Sequence, residues 1–143
     1  MLPMHCIYIM KNILLVLFVC IGLSSCKEGM FLSEVFYNIN VFNRSAGTVY
    51  MWRSYNYPDT SLPLDKPALV KIRPGKDYSI SSSQKWENEL RSKPSQTMSI
   101  FILDSVVYIG QNWDSVRAND RVLHRYDLRA EDLVNINYTV NYQ

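Results

Sequence analysis

The stretch VFYNINVF, residues 35–42, decides the fold class that this chain is expected to adopt. Its odd-numbered positions are all apolar or aromatic, so they share one face of an extended strand. Phe36 and Phe42 lie on the opposite face, and we therefore predict that this strand is covered on both sides. The segment NRSAG, residues 43–47, ends the pattern, and alternation resumes over residues 48–55. Two alternating runs joined by such a short connection predict a β-hairpin.

Five further segments have the alternation or the β-branched and aromatic content of strands. They are Ala68–Ile72, Asp77–Ile80, Thr97–Leu103, Val106–Ile109 and Tyr138–Tyr142. The first two flank RPGK, residues 73–76, where proline at the second position and glycine at the third predict a type II turn. About seven short strands separated by turns predict a mainly β fold, an antiparallel β-sandwich with short helical insertions.

Three short helical insertions are predicted between these strands, at residues 84–91, 113–118 and 130–135. Ser83 and Asn112 are placed to cap the first two helices with their side chains. In the first helix, Trp86 and Leu90 lie four residues apart and therefore share one face. In the third helix, two carboxylates occupy the first turn, where the helix dipole stabilises negative charge.

A signal segment precedes the β-rich part. The apolar run Ile13–Leu23 is roughly half the length of a ~20-residue membrane-spanning helix, and it follows Lys11, as in a secretory signal. The sequence LSSC, residues 23–26, ends this run and resembles the lipobox of bacterial lipoproteins. We therefore predict that residues 1–25 are a lipoprotein signal peptide. Because Met10 and Lys11 provide a normal positively charged start, we hypothesise that translation begins at Met10.

The resemblance to lipoproteins implies that Cys26 is a lipidation site. In lipobox processing the cysteine sulfur is joined to diacylglycerol and cleavage makes the cysteine the new N-terminus, which gives stable membrane attachment. The alternative is an ordinary signal whose cleavage leaves a free thiol. Lys27, rather than aspartate, follows the cysteine, and by resemblance to lipoprotein sorting in Gram-negative bacteria this indicates the outer membrane, with the leaflet left open. Residues 26–33 are then a lipidated tether, and residues 34–143 a single β-rich domain.

The predicted mature chain offers few groups for catalysis or metal binding. Cys6 and Cys20 lie within the predicted signal peptide, and His124 is the one histidine that follows it. Asp127, which could orient this histidine, falls on the opposite face of a strand because three positions separate them. The chain has a formal net charge of +2 without a block of like charge, so nucleic acid is not an expected partner. We predict no catalytic residue, metal site or cofactor, and we do not expect an enzyme.

Three aromatic residues are candidates for ligand binding. Trp52, Tyr55 and Tyr57 flank a predicted turn that ends at Pro58 and Asp59. Aromatic side chains exposed at a loop tip can stack on a sugar ring or anchor a protein partner, because they offer a large contact area at low entropic cost. The alternative is that Trp52 packs in the core while the tyrosines cover one end of the sandwich.

Two serines are candidates for modification. Ser105 and Ser115 each stand between an aspartate and a valine, and both tripeptides resemble the O-glycosylation acceptor of Bacteroidota. A serine in such a tripeptide can equally be an ordinary turn or helix residue.

The C-terminal third resembles a group of lipoproteins. The run VLHRYDL, residues 122–128, is followed by EDL at residues 131–133 and by NYTV at residues 137–140. This pattern, together with the signal, resembles small lipoproteins of Bacteroidales-type genomes, a group without an assigned activity. Where those proteins usually have a tryptophan before the final strand, this chain has Tyr138. The resemblance implies localisation and architecture, and it transfers no catalytic residue.

Taken together, the sequence favours a non-enzymatic binding or accessory protein at the cell envelope, attached to the membrane through a lipid anchor. One alternative is a glycan-binding module that uses the exposed aromatic residues. Another is a structural or assembly lipoprotein of an envelope complex, whose partner would be a second envelope protein.

Overall fold

Strands make up most of the regular structure in residues 35–143, the part of the chain that the computed structural model describes. Seven strands are found there: β1 (Tyr37–Asn43), β2 (Val49–Ser54), β3 (Val70–Ile72), β4 (Asp77–Ser82), β5 (Met98–Asp104), β6 (His124–Leu128) and β7 (Thr139–Tyr142). Four short helices accompany them: α1 (Trp86–Arg91), α2 (Ser105–Gly110), α3 (Trp113–Ala118) and α4 (Ala130–Asn135). The predicted mainly β fold with short helical insertions is confirmed. The predicted signal peptide, Cys26 and the tether lie outside the described residues.

The strands form two sheets. Sheet 1 has the strand order β4-β1-β7, and sheet 2 has the order β3-β2-β5-β6. Neighbouring strands are antiparallel except for β1 and β7, which run parallel with Val41 opposite Val140. The segment Tyr138–Tyr142, predicted as the last strand, contains β7 and completes sheet 1. Its pairing with β1 is parallel, and the alternation of apolar residues does not indicate the direction of pairing.

The predicted hairpin between the first two strands is wrong, because β1 belongs to sheet 1 and β2 to sheet 2. The chain turns from one sheet to the other at Asn43, which is 1% exposed. The Asn43 side-chain amide donates to the carbonyl oxygens of Gly47 (2.8 Å) and Ile72 (3.0 Å). Its Oδ1 accepts from the backbone N–H of Ser45 at 3.0 Å. These bonds satisfy the buried amide and hold the connection in a crossing rather than a hairpin.

A second crossing joins β3 to β4 through residues 73–76, and it meets the first crossing at Asn43. Lys76 N–H donates to the Arg73 carbonyl at 3.1 Å, and Gly75 has a φ of 67°. Both features agree with the predicted type II turn, which needs a positive φ at its third position. Gly75 N–H donates to the Asn43 carbonyl (2.8 Å), and Asn43 N–H donates to the Lys76 carbonyl (2.9 Å).

Buried side chains of both sheets belong to one hydrophobic cluster, which we call the main core. Its buried members are Ile39, Val41, Ile80 and Val140 from sheet 1, Val49, Met51, Ile72, Met98, Ile100, Ile102 and Leu128 from sheet 2, and Trp86, Leu90 and Leu133 from the helices. A second cluster contains Phe101 and Leu103 of β5. The strand covered on both sides is therefore β5. In the predicted strand at residues 35–42, by contrast, Phe36 is exposed.

The segment Val106–Ile109, predicted as a strand, is the helix α2. The Asp104 carboxylate accepts hydrogen bonds from the backbone N–H groups of Val106 (2.6 Å) and Val107 (3.3 Å). Such an N-cap stabilises the first turn of a helix and outweighs the β-propensity of the valines. The seventh strand is instead β6.

The predicted helices at 113–118 and 130–135 are confirmed, and the Asn112 side chain caps α3 as predicted. Helix α1 begins at Trp86, and the predicted cap by Ser83 is wrong because Lys85 occupies the N-cap position without a side-chain hydrogen bond. The upstream turn is held by Ser82, whose Oγ accepts from Gln84 N–H at 3.1 Å. Trp86 and Leu90 share one face of α1, as predicted from their spacing, and both are buried.

We expect Asn43→Ala to lower the free energy of unfolding by about 2–3 kcal/mol, because the buried carbonyl of Ile72 loses its side-chain donor. Urea denaturation followed by circular dichroism measures the change. The matched control is Asn141→Ala, which removes an exposed amide bonded to Arg44 and should cost less than about 0.5 kcal/mol. Equal losses in the two variants would contradict the role assigned to Asn43.

Candidate functional site

The described residues contain no group of three or more His, Cys, Asp or Glu side chains placed to hold a metal ion. His124 is exposed, and its ring packs against Tyr126 with 4.3 Å between centroids. Asp127 accepts hydrogen bonds from Ser99 Oγ (2.6 Å) and Arg125 Nε (3.1 Å). The carboxylate of Asp127 is therefore committed to partners other than the histidine.

The predicted ligand-binding aromatics do not share one surface. Trp52 packs against the second cluster, where its ring centroid lies 5.0 Å from that of Phe101. Tyr55 packs against the main core, and Lys93 Nζ lies 4.9 Å from the centre of its ring. Positions 52 and 55 differ by an odd number, so an extended chain directs their side chains to opposite faces. Tyr57 is half-buried in the loop that follows.

A different set of aromatic residues lines a small pocket. Tyr37 at the start of β1, Trp86 at the start of α1 and Tyr138 just before β7 surround a cavity of about 240 Å³. We call this the Tyr37–Tyr138 pocket. Trp86 is 1% exposed, so it forms the floor rather than an exposed wall. The remaining lining side chains are polar or charged: Asn38, Lys85 and Glu87.

Backbone and indole hydrogen bonds fix the position of these aromatic rings. The indole N–H of Trp86 donates to the Tyr37 carbonyl at 3.0 Å and ties α1 to β1. Asn40 N–H donates to the Tyr138 carbonyl at 2.9 Å and ties Tyr138 to the same strand. Tyr138 and the preceding Asn137 have φ values of 53° and 48°, in the left-handed region that residues other than glycine rarely adopt. Both residues follow the C-terminus of α4, where left-handed conformations commonly end a helix.

Glu87 and Tyr138 form the polar contact of the pocket. The Tyr138 hydroxyl donates a hydrogen bond to Glu87 Oε1. This bond favours the ionised carboxylate, so it holds the pKa of Glu87 below its ordinary value. The same bond raises the pKa of the Tyr138 hydroxyl, which has to remain protonated to donate it. At neutral pH the pocket therefore presents a charged acceptor beside an aromatic ring.

Sequence reasoning missed this pocket because its members are far apart along the chain. The hydrogen bond from Trp86 to Tyr37 spans 49 residues, and the one from Tyr138 to Glu87 spans 51. One local signal is available: the spacing of Trp86 and Leu90 predicts that both side chains share one face of the helix.

The two serines predicted as O-glycosylation sites differ in accessibility. Ser105 is the first residue of α2 and is half-buried beside the capping Asp104. Ser115 is exposed on α3, where its carbonyl accepts a hydrogen bond from the Asn119 side-chain amide at 2.8 Å. The hydroxyl of Ser115 is the more accessible of the two, and modification of either serine stays a prediction.

No protein-family model, curated protein or solved structure matches this chain. Within residues 35–143, every helix is too short or too polar to cross a lipid bilayer.

We expect Tyr138→Phe to raise the pKa of Glu87 toward its ordinary value, because the hydroxyl that stabilises the carboxylate is removed. At pH values above the pKa of a free glutamate, the hydrogen bond stabilises the folded state. This stabilisation is lost as the pH falls through the lowered pKa of Glu87. An NMR titration of the glutamate side-chain carboxyl carbons measures both values. Glu89 is the internal control, because Gln84 and Lys93 lower its pKa and both remain in the variant. An unchanged Glu87 titration would contradict this assignment.

Proposed function

We propose that this protein is a non-enzymatic, lipid-anchored protein of the cell envelope that binds a carbohydrate in the Tyr37–Tyr138 pocket. The observation that carries the proposal is the meeting of tyrosine rings with an ionised carboxylate in one small cavity. The proposed glycan site differs from the one predicted at Trp52, Tyr55 and Tyr57. The rings of Trp52 and Tyr55 pack on different hydrophobic clusters.

The chemistry of the pocket suits a sugar ring. The flat apolar face of a tyrosine can cover the C–H face of a sugar, while carboxylate, amide and ammonium groups bond its hydroxyls. Glu87 supplies acceptors, Lys85 supplies donors, and the Asn38 amide supplies both. Ligand pockets for drug-sized molecules measure roughly 300–1,000 Å³, so a cavity of about 240 Å³ suits one sugar residue at the end of a chain.

The protonation state of Glu87 supports binding rather than glycoside hydrolysis. A general acid in a glycosidase needs a raised pKa so that it holds a proton near neutral pH. The bond from Tyr138 lowers the pKa of Glu87 instead. An ionised glutamate is a good acceptor for a sugar hydroxyl and a poor proton donor to a leaving group.

The membrane anchor in this proposal rests on the sequence of residues 23–27. The LSSC motif supports lipidation at Cys26, and Lys27 supports transfer to the outer membrane. Tyr37 follows Cys26 by few residues, so the tether would keep the pocket close to the membrane surface. A small glycan-binding domain in that place could hold a surface polysaccharide or serve as an accessory subunit.

We also propose that sheets 1 and 2 pack face to face as a β-sandwich that supports the pocket. The main core draws buried side chains from both sheets, as expected for the two inner faces of a sandwich. Both crossings at Asn43 carry the chain from one sheet to the other, which supports the same arrangement.

We expect Cys26→Ala to move the protein from the membrane fraction to the soluble fraction, because the lipid attachment atom is lost. Fractionation of cells grown with a labelled fatty acid measures location and lipidation together. Ser25→Ala is a suitable control, since a small residue is kept before the cysteine. A Cys26→Ala protein that remains in the membrane fraction would contradict the anchor.

We expect Tyr37→Ala to weaken binding to a terminal sugar by at least about tenfold, because the ring that covers the sugar is removed. A glycan array of bacterial polysaccharide fragments identifies a ligand, and isothermal titration calorimetry measures the affinity. Tyr57→Ala is the matched control and should bind normally. Absence of any bound glycan, or an equal loss in Tyr57→Ala, would contradict this site.

A further inference from the structure

The four edge strands of the two sheets are protected to different degrees. Edge strands in natural proteins are usually short or carry charged residues, which prevents them from pairing with other chains. Strand β3 has three residues, β7 has four, and β6 carries His124, Arg125 and Asp127. Strand β4, with the sequence DYSISS, has six residues, no proline, and Asp77 at its start as its one charge.

The hydrogen-bonding groups on the free side of β4 can be assigned from the pairing with β1. Asn43 N–H donates to the Lys76 carbonyl, and antiparallel pairs alternate between bonded and non-bonded positions. The backbone groups of Tyr78, Ile80 and Ser82 therefore face β1. Those of Asp77, Ser79 and Ser81 face the free edge, where no strand of residues 35–143 pairs with them.

The free edge of β4 is held in a fixed shape. The hydroxyl of Ser79 donates to Asn40 Oδ1 and the hydroxyl of Ser81 donates to Asn38 Oδ1, both at 2.7 Å. These side-chain bonds join β4 to β1 on one face of sheet 1, in register with the backbone pairs. An edge fixed in this way loses little conformational entropy when another strand pairs with it.

A groove of about 520 Å³ lies beside this edge and reaches across to sheet 2. Met51, Val70 and Ile80 give it apolar walls, and Arg53 is the charged member among the described residues that line it. Strand β3 pairs with β2 from Val49 to Met51 only. In the part of the chain that the structure describes, the rest of β2 has no strand paired with it on the β3 side. Arg53 has no ion-pair partner within residues 35–143.

We propose that the free edge of β4 binds an extended segment of a partner protein, which adds a fourth strand to sheet 1. The backbone of that segment would pair with Ser79 and Ser81, as in other cases of β-strand addition. Its alternate side chains would enter the groove, where apolar residues meet Met51 and Val70 and one carboxylate meets Arg53. The partner segment is therefore extended, alternates apolar and polar residues, and carries an aspartate or glutamate on its apolar side.

Fluorescence anisotropy with labelled seven-residue peptides tests this proposal on the full-length chain in detergent. Each of two probes has threonine at alternate positions, with two valines and one glutamate at the positions between them. The glutamate is near the N-terminus in one probe and near the C-terminus in the other, so that both strand directions are tested. We expect one of them to bind, and a version with lysine in place of glutamate to bind about tenfold more weakly. Failure of both glutamate probes to bind at millimolar concentration would overturn the proposal.

Variants of the edge locate the binding. Ser79→Pro removes a backbone donor that faces the free edge and keeps every backbone hydrogen bond to β1, although it loses the hydroxyl that bonds Asn40, and it should weaken binding at least about tenfold. Ser79→Ala keeps the backbone donor and loses the same hydroxyl, so it should bind within about twofold of the original chain. Thermal unfolding shows whether each variant is folded. Unchanged binding by a folded Ser79→Pro variant would overturn the proposal.

A charge reversal gives a second test that does not depend on proline. Arg53→Glu should prefer the lysine peptide over the glutamate peptide, because the charge in the groove has changed sign. The same peptide order as in the original chain would overturn the role of Arg53. A dimer of the original chain that Ser79→Pro converts to a monomer would assign the edge to a second copy and overturn the choice of a separate partner.

Discussion

The buried side chain of Asn43 is the interaction on which the arrangement of the two sheets depends. Its amide and backbone groups bond to both of the connections that cross between the sheets. Apolar burial is non-directional and would tolerate several strand orders, whereas a buried amide is satisfied only when specific carbonyls surround it. Asn43 therefore selects the crossing, and the crossing places β1 between β4 and β7. The pocket and the free edge are both built on that placement.

The sequence predicted local structure well and strand pairing poorly. Helices α3 and α4 and the turn at residues 73–76 depend on side chains within a few positions, such as Asn112 and Gly75, and these were found. The strand predicted at residues 106–109 failed because one carboxylate, Asp104, supplied a helix cap that outweighed two valines. The hairpin failed for a different reason. The bond that prevents it joins Asn43 to Ile72, 29 residues away, and periodicity carries no information about such a contact.

The residues of the candidate site were harder to predict from the sequence than the fold was. Trp52, Tyr55 and Tyr57 are candidates from the sequence because they flank one predicted turn, with packing of Trp52 in the core as the alternative. The structure separates the first two, because Trp52 packs on the second cluster and Tyr55, just after the end of β2, packs on the main core. The pocket instead gathers Tyr37, Trp86 and Glu87 around a tyrosine in a left-handed conformation. That conformation accompanies a hydrogen bond from Tyr138 N–H to the Leu133 carbonyl at the end of α4, and the intrinsic preference of a tyrosine does not indicate it.

The parallel pairing of β1 with β7 sets the order in which the two sheets can form during synthesis. All of sheet 2 is encoded between these two strands, so its strands can pair while residues 139–142 have yet to emerge from the ribosome. Sheet 1 gains its third strand last, because a long stretch of chain must first be available. Tyr138 immediately precedes that strand. The Tyr37–Tyr138 pocket would thus be completed at the end of vectorial folding, and a chain stalled before that point would have most of sheet 2 in place while one wall of the pocket is missing.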